Sequence, residues 1–442
     1  MIILNFIFLY LDCNKFIHDL RLSIQEKLKS NFIKKFSIYG FGQFFNLVTP
    51  LLLVPYIVKT CGEANFGKIS VCLSICFFLI VFIDYGSELV GVRDVSINRN
   101  NKEALQKIFL VNLVSRFFLL TSIILITLSL AYFIPFLKSE FTLFSFSVLI
   151  LIGQYLNQSW FLQGVENVNW ISLSNIFSKL IYVAGVLIFI KTKNDYQFVN
   201  LYFAAGTIIS NGFFTFLIFR KYKFSFHKIN SSDILNFLSK DFKMFSSQIF
   251  TALQLYSPVL IVSVLGNNFM AGQYRIVEQI IVTFKTYIFL FFNFTYPRVC
   301  YDIIENSKKA IQNWFMINFM NILFIIFLMT LLYFNADLVI TFFNASDTQT
   351  LSKLLQIALL IPIALAISIA LKQLILGFNF HKQYIRITIF TVLLSLLMIA
   401  GLMINYQLLG VVYSLIITEI IVILFYLICI KMQLGKSPLT ND

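Results

Sequence analysis

Arg220-Lys-Tyr-Lys-Phe-Ser-Phe-His-Lys-Ile-Asn-Ser-Ser-Asp-Ile-Leu-Asn-Phe-Leu-Ser-Lys-Asp-Phe-Lys243 divides this chain into two halves. The stretch is polar and carries Arg220, Lys221, Lys223, Lys228, Lys240 and Lys243. Long apolar runs lie on both sides of it, six before and six after. A lipid core about 30 Å thick needs roughly 20 apolar residues per crossing helix. The predicted spans are 36–58, 68–89, 108–133, 141–162, 170–190, 197–219, 244–265, 274–296, 312–334, 354–377, 383–404 and 407–430. The expected organisation is an N-terminal cytoplasmic extension over 1–35, an N-lobe over 36–219, a basic linker over 220–243, a C-lobe over 244–430 and a tail over 431–442.

The composition agrees with that frame. Of 442 residues 59% are hydrophobic and 12% charged, with mean hydropathy +0.85. A soluble domain carries about 25% charge. The apolar runs are continuous, whereas membrane-barrel strands alternate in polarity. The fold class is therefore an all-α integral membrane protein with twelve transmembrane helices. Net charge is +14, but its placement argues against nucleic acid. With a cytoplasmic N-terminus, 23 of the 34 Lys and Arg fall on the cytoplasmic side, 6 on the other and 5 inside spans. That split obeys the positive-inside rule and puts both termini in the cytoplasm.

Chemistry is sparse. The six cysteines show no paired metal spacing, and Cys72 and Cys76 share a helix face without a second pair. No nucleophile–His–acid set can be assembled within the membrane, so neither an enzyme nor a cofactor is expected. Met1 to Leu11 is apolar but too short to cross a bilayer. Ser23-Ile-Gln-Glu26 reads as a capping box opening an amphipathic helix on the membrane surface.

A faint repeat relates the halves. Pro50 is followed by Gly62 and Phe66-Gly67; Pro258 is followed by Gly266 and Ala271-Gly272. Two six-span halves repeated in parallel are a transporter design with its site at the interface.

Charges inside spans mark cavities or partners. Here they are Asp84, Glu88, Arg116, Lys179, Arg275, Glu278, Lys285, Lys372 and Glu419. At about 1.5 Å rise per residue, Lys179 lies roughly 13 Å deep and Lys285 roughly 16 Å deep. Arg116 and Glu419 also fall near the midplane. Three midplane cations suit an anionic substrate such as a pyrophosphate. On the eighth span Arg275, Gln279, Thr286 and Asn293 form one polar stripe, flanked by Glu278 and Lys285. Arg275 and Glu278 are also spaced to pair with each other, and Lys372 to snorkel. Arg116, Lys179, Arg275, Gln279 and Lys285 are the substrate-binding candidates. Asp84, Glu88, Glu278 and Glu419 are the ion-coupling candidates. Asp84 and Glu88, one helical turn apart, are placed to carry a proton or to bond Arg93.

The chain resembles a known family in residues that keep their order and spacing. Asp84-Tyr-Gly-Ser-Glu-Leu-Val-Gly-Val-Arg93-Asp-Val-Ser96 with Asn98-Arg99-Asn100, and Trp160-Phe-Leu-Gln163-Gly164-Val-Glu166 with Lys179 after Ser178, carry the likeness in the first half. Gly272-Gln-Tyr274-Arg-Ile-Val-Glu278 and Tyr296-Pro297-Arg298 carry it in the second. They resemble the O-antigen flippases (Wzx type), polysaccharide repeat-unit transporters within the superfamily that includes the MATE exporters. The resemblance covers about residues 32–432 and departs over the first 31. It implies two six-helix lobes with a parallel pseudo-two-fold, rocking about a central cavity. It implies an undecaprenyl-pyrophosphate-linked glycan as cargo, membrane lipids as partners, and a bacterial inner-membrane location beside a polymerase and chain-length proteins. The competing reading is a MATE-like small-molecule exporter driven by protons or sodium; the midplane cations would repel cationic cargo.

Overall fold

A computed structural model describes residues 31–225, 229–305 and 307–434. The expected amphipathic helix with its Ser23–Glu26 capping box, His227 and Lys228 of the linker, and most of the tail lie outside the described residues. Regular structure among the described residues is helical throughout. The first half contains α1 (Asn31–Cys61), α2 (Glu63–Asp84), α3 (Val90–Ile97), α4 (Lys102–Ala131), α5 (Pro135–Ser139), α6 (Phe141–Tyr155), α7 (Ser159–Gly164), α8 (Val168–Phe189) and α9 (Val199–Tyr222), with a 3-10 turn over Lys193–Phe198. The second half contains α10 (Ser231–Leu265), α11 (Asn268–Glu305), α12 (Ser307–Phe334), α13 (Ala336–Phe342), α14 (Thr348–Ala358), α15 (Leu360–Gly377) and α16 (His381–Leu434).

Among the described residues ten helical stretches are long and apolar enough to cross a membrane, and Phe45–Cys61 is a shorter apolar helix. One of the ten, His381–Met432, runs through two expected spans. It is not straight. Gln407 has φ 51° and ψ −133°, outside helical space. A β-carbon on Gly410 would meet the Leu402 carbonyl oxygen at 2.2 Å. Residues eight apart on a continuous helix lie about 12 Å apart along the axis, so α16 folds back on itself at Gln407.

Several expected boundaries move. The linker 220–243 is largely helical: α9 runs to Tyr222, ends at a left-handed Lys223 (φ 51°), and α10 begins at Ser231. Asp233 in its first turn favours that start. The span expected over 141–162 breaks between Tyr155 and Ser159. The span expected over 354–377 is two helices meeting at Leu359. Pro362 supplies the reason, since it lacks the N–H that would bond Ala358. Asp84 and Glu88 do not share a helix. α2 ends at Asp84, and Tyr85 (φ 42°) and Gly86 (φ 82°) turn the chain away.

Within the first half α8 and α6 pack on α9, and α1 packs on α8; within the second α11, α12 and α16 pack on α15. The halves meet where α2 lies against α10 and α11. At one end of the bundle that contact is backbone on backbone. A β-carbon on Gly67 would sit 1.8 Å from the Asn268 carbonyl oxygen, and one on Gly272 would sit 2.1 Å from that of Glu63. At the other end the backbones stand further apart, with a β-carbon on Gly86 3.4 Å from the Asp241 carbonyl oxygen, and side chains close most of the gap. Tyr85 stacks on Phe245 at 4.3 Å, Phe82 packs edge-on to Phe245, and Lys240 pairs with Asp94.

Candidate functional site

The membrane-embedded charges fall into separate groups. The first surrounds Arg116, which is fully buried on α4. Its Nη2 donates to Asp84 Oδ1 at 2.7 Å and to the Gln154 carbonyl at 2.9 Å. Its Nη1 reaches the Asn157 carbonyl at 3.4 Å and Gln158 Oε1 at 3.5 Å. Gln154 Nε2 donates to the other Asp84 oxygen at 2.8 Å. The break after α6 explains the geometry. It leaves carbonyls without intrahelical partners, and the guanidinium fork is shaped to satisfy several at once. Gln158 is held in turn by Trp160 Nε1 at 2.8 Å. Arg116 and Asp84 thus tie α2, α4 and α6 together, with both guanidinium Nη atoms engaged and Nε buried without a hydrogen-bond partner among the described residues. Of the three amide residues only Gln158 receives Arg116 through its side chain; Gln154 and Asn157 do so through backbone carbonyls, which residue identity does not signal.

The second group lies on α11. Arg275 Nη1 donates to Glu278 Oε2 at 2.6 Å, the neighbour pairing that their spacing allowed. Gln279 is buried beside them, Thr286 turns its hydroxyl back to the Val282 carbonyl at 2.9 Å, and Asn293 is exposed.

The remaining cations differ. Among the described residues neither Lys179 nor Lys285 has an ion pair within the protein. Lys179 Nζ lies 4.7 Å from the centre of the Phe203 ring. Phe203 touches Phe77 of α2 (6.0 Å), and Phe77 touches Tyr256 of α10 (5.7 Å). An aromatic chain therefore runs from Lys179 to the seam between the halves. Tyr256 stands within electrostatic reach of Asp84 and Glu88 on one side and Arg275 and Glu278 on the other. Sequence reasoning missed Tyr256, Phe77 and Phe203, because an aromatic in a span carries no signal of its own. Lys285 lies near Glu419 together with Lys372. Glu419 accepts from the Ser368 hydroxyl at 2.8 Å. Lys372 is held between the rings of Tyr384 (4.9 Å) and Phe292 (5.3 Å). Lys179 and Lys285 sit on helices that share α1 as a neighbour: α8 packs on α1, α7 and α9, while α11 packs mainly on α2, α10, α12 and α15 and also touches α1 and α14.

At the side-chain end of the seam, Asp94 accepts from Arg93 at 3.2 Å and pairs with Lys240. The adjoining Asp241 is 2% exposed. Burial pushes its carboxyl up to about 6, with Lys240 opposing, Asp94 adding and Arg93 opposing. Among the described residues no cluster of His, Cys, Asp or Glu could hold a metal ion.

Residues 32–300 match the family described as Polysaccharide biosynthesis protein. A protein of Escherichia coli (strain K12) named "Putative O-antigen transporter" is 24% identical over 390 residues, covering 85% of this chain and 91% of that protein. One of the same name from Shigella dysenteriae is 22% identical over 410 residues, covering 91% and 100%. Among solved structures, "Lipid II flippase MurJ, inward closed conformation" superposes with a TM-score of 0.68 at 17% identity, covering 89% of this chain and 87% of that one. An inward-facing multidrug resistance MATE family transporter of the MOP superfamily superposes at 0.64 with 12% identity, covering 89% and 100%. The chain is a multi-pass membrane protein with the MOP-superfamily fold, and it belongs to the polysaccharide biosynthesis protein family.

Proposed function

We propose that this protein is a flippase. It carries a lipid-linked oligosaccharide repeat unit, joined to undecaprenol through a pyrophosphate, across the bacterial inner membrane. Two six-helix lobes, 36–219 and 244–430, rock about the seam where α2 meets α10 and α11. Twelve crossings follow if Phe45–Cys61 crosses and α16 crosses twice about Gln407. The charge split puts both termini, and the Tyr85–Phe245 end of the seam, on the cytoplasmic side.

The observation that carries this reading is the state of Lys179 and Lys285. A cation near mid-membrane costs about 2.5–3.5 kcal/mol on insertion scales. Arg116 and Arg275 meet that cost with carboxylates. Among the described residues Lys179 and Lys285 make no direct ion pair, Lys285 having Glu419 only within electrostatic reach, which supports them as the cations that receive the substrate's anionic group, one from each lobe. A ligand touching both lobes has an affinity that depends on their tilt, the condition for alternating access. Arg275 and Gln279 border the seam and complete the site; Arg116 is left to the fold. Of the four coupling candidates, Asp84 and Glu278 are held by arginines. Glu88 beside Tyr256 and Glu419 beside Lys285 remain as the groups that exchange a proton or sodium ion.

Substitution tests the site. Lys285→Ala and Lys179→Ala should each abolish surface display of the glycan at unchanged membrane abundance, and Lys285→Arg should keep part of it, since charge persists while geometry shifts. Normal display in both alanine variants would rule out a cationic site there.

A further inference from the structure

We propose that Gly67 and Gly272 form the outer gate of transport, a reciprocal glycine crossing whose closure fixes the loading state. The two residues hold corresponding places in the faint repeat, each closing a Phe-Gly or Ala-Gly pair near the start of α2 or α11. They also meet. The Gly67 position faces the Asn268 carbonyl and the Gly272 backbone nitrogen, and Gly272 faces the Glu63 carbonyl and the Gly67 backbone nitrogen. Each helix lays a carbonyl into the space that the other's missing β-carbon leaves. Phe66 and Ala271 beside them are 4% and 0% exposed, so the crossing is dry.

The two ends of the seam therefore close by different means. The inner end closes chiefly through side chains, with half-buried Tyr85 stacked on buried Phe245 and an ion pair between Lys240 and Asp94. Side-chain rotation opens such a contact. At the outer end two backbones touch, and that crossing opens when whole helices separate. At the glycines themselves the contact is van der Waals and weak C–H···O, and beside them the Ser346 N–H donates to the Glu63 carboxylate and Asn344 Nδ2 donates to the Pro55 carbonyl across the halves. The crossing itself is tight because of its shape, and the hydrogen bond to Glu63 beside it must break when the helices part. A β-carbon added at either glycine collides with backbone, which cannot swing aside. It penalises the outward-closed state alone, because the clash disappears once the lobes part.

The proposal rests on the two-lobe reading above. The test reads the gate without substrate, so a chain that gates here but moves no glycan loses only the functional reading. Ser70 lies three residues after Gly67, on the same face of α2, and is 1% exposed. The full chain carrying Ser70→Cys is labelled from the outer face with a membrane-impermeant maleimide, and the signal of the parent chain with its native cysteines is subtracted. Labelling should be slow in this chain. With Gly67→Ala or Gly272→Ala it should rise about tenfold, the population shift that roughly 1.4 kcal/mol of overpacking produces. Two controls separate gating from folding. A β-carbon on Gly206 would meet the Ser178 carbonyl at 2.4 Å, but inside one half. Gly206→Ala should lower the melting temperature without raising the labelling. Gly401 has open space around it, and Gly401→Ala should change neither. Unchanged labelling in both gate variants at normal abundance overturns the proposal. So does failure of both to accumulate, which makes the crossing a folding contact.

Discussion

Arg116 and Lys285 are both cations inside spans, and their surroundings give them opposite parts. Arg116 spends its donors on Asp84, two backbone carbonyls and Gln158. Arg116→Ala leaves Asp84 buried and unpaired, a loss of about 3–5 kcal/mol. We expect a lower detergent melting temperature and reduced membrane abundance. Arg116→Lys should recover little, because one ammonium cannot reach acceptors in several directions. Unchanged melting in Arg116→Ala would return this residue to the substrate site. Asp241 makes a second prediction at this scale. Its carboxyl is raised to about 6 by burial. An acid whose folded pKa is raised binds its proton more tightly in the folded state, so its contribution to stability falls as pH rises from about 3.8 to about 6. Asp241→Asn should flatten the melting temperature over that window and raise it at neutral pH. A variant that follows the parent's pH profile would show that Asp241 is not the group responsible. Sequence revealed which residues were charged. It did not reveal which charges were already satisfied, because the partners of Arg116 lie 32 to 42 residues away in the chain.

Helix breaks decide more than helix lengths do. The run over 383–430 is mostly apolar, interrupted by Arg386, Asn405, Gln407 and Glu419, and hydropathy alone marks the fold-back only faintly. Gln407 holds a conformation that suits glycine, and such strain costs on the order of 1–3 kcal/mol. Gln407→Gly should therefore raise the melting temperature by a few degrees. Gly410→Ala should lower it, since its β-carbon would strike the Leu402 carbonyl. If Gln407→Gly melts lower than the parent, the reversal at that residue is not strained. The breaks within 141–164 and 348–377 follow the same logic. Pro362 is a legible cause of the second. The first has no proline; it is stabilised by Arg116 from another helix, and local sequence contains no trace of that.

Across the whole molecule, topology is the first quantity to measure. Reporter fusions after Lys193 and after Lys228 should report opposite sides of the membrane; the same side for both would undo the crossing pattern and the gate assignment with it. The sequence by itself determined the class. Apolar run length sets what crosses a bilayer, and lysine and arginine bias sets the expected orientation, since both depend on composition along the chain and not on contacts. The order of the Asp84–Asn100, Trp160–Glu166 and Gly272–Glu278 motifs likewise pointed to the family in which the chain is found. Only the tertiary structure decided which polar groups pair. It tied Asp84 to Arg116 instead of placing it in register with Glu88, because Tyr85 and Gly86 turn left-handed where the chain meets α10. It left Lys179 over an aromatic ring and Lys285 near a carboxylate on another helix. It also turned two glycines, faint echoes of each other in sequence, into a single backbone crossing. A glycine carries no polarity signal, and what its missing side chain admits depends on which helix arrives there.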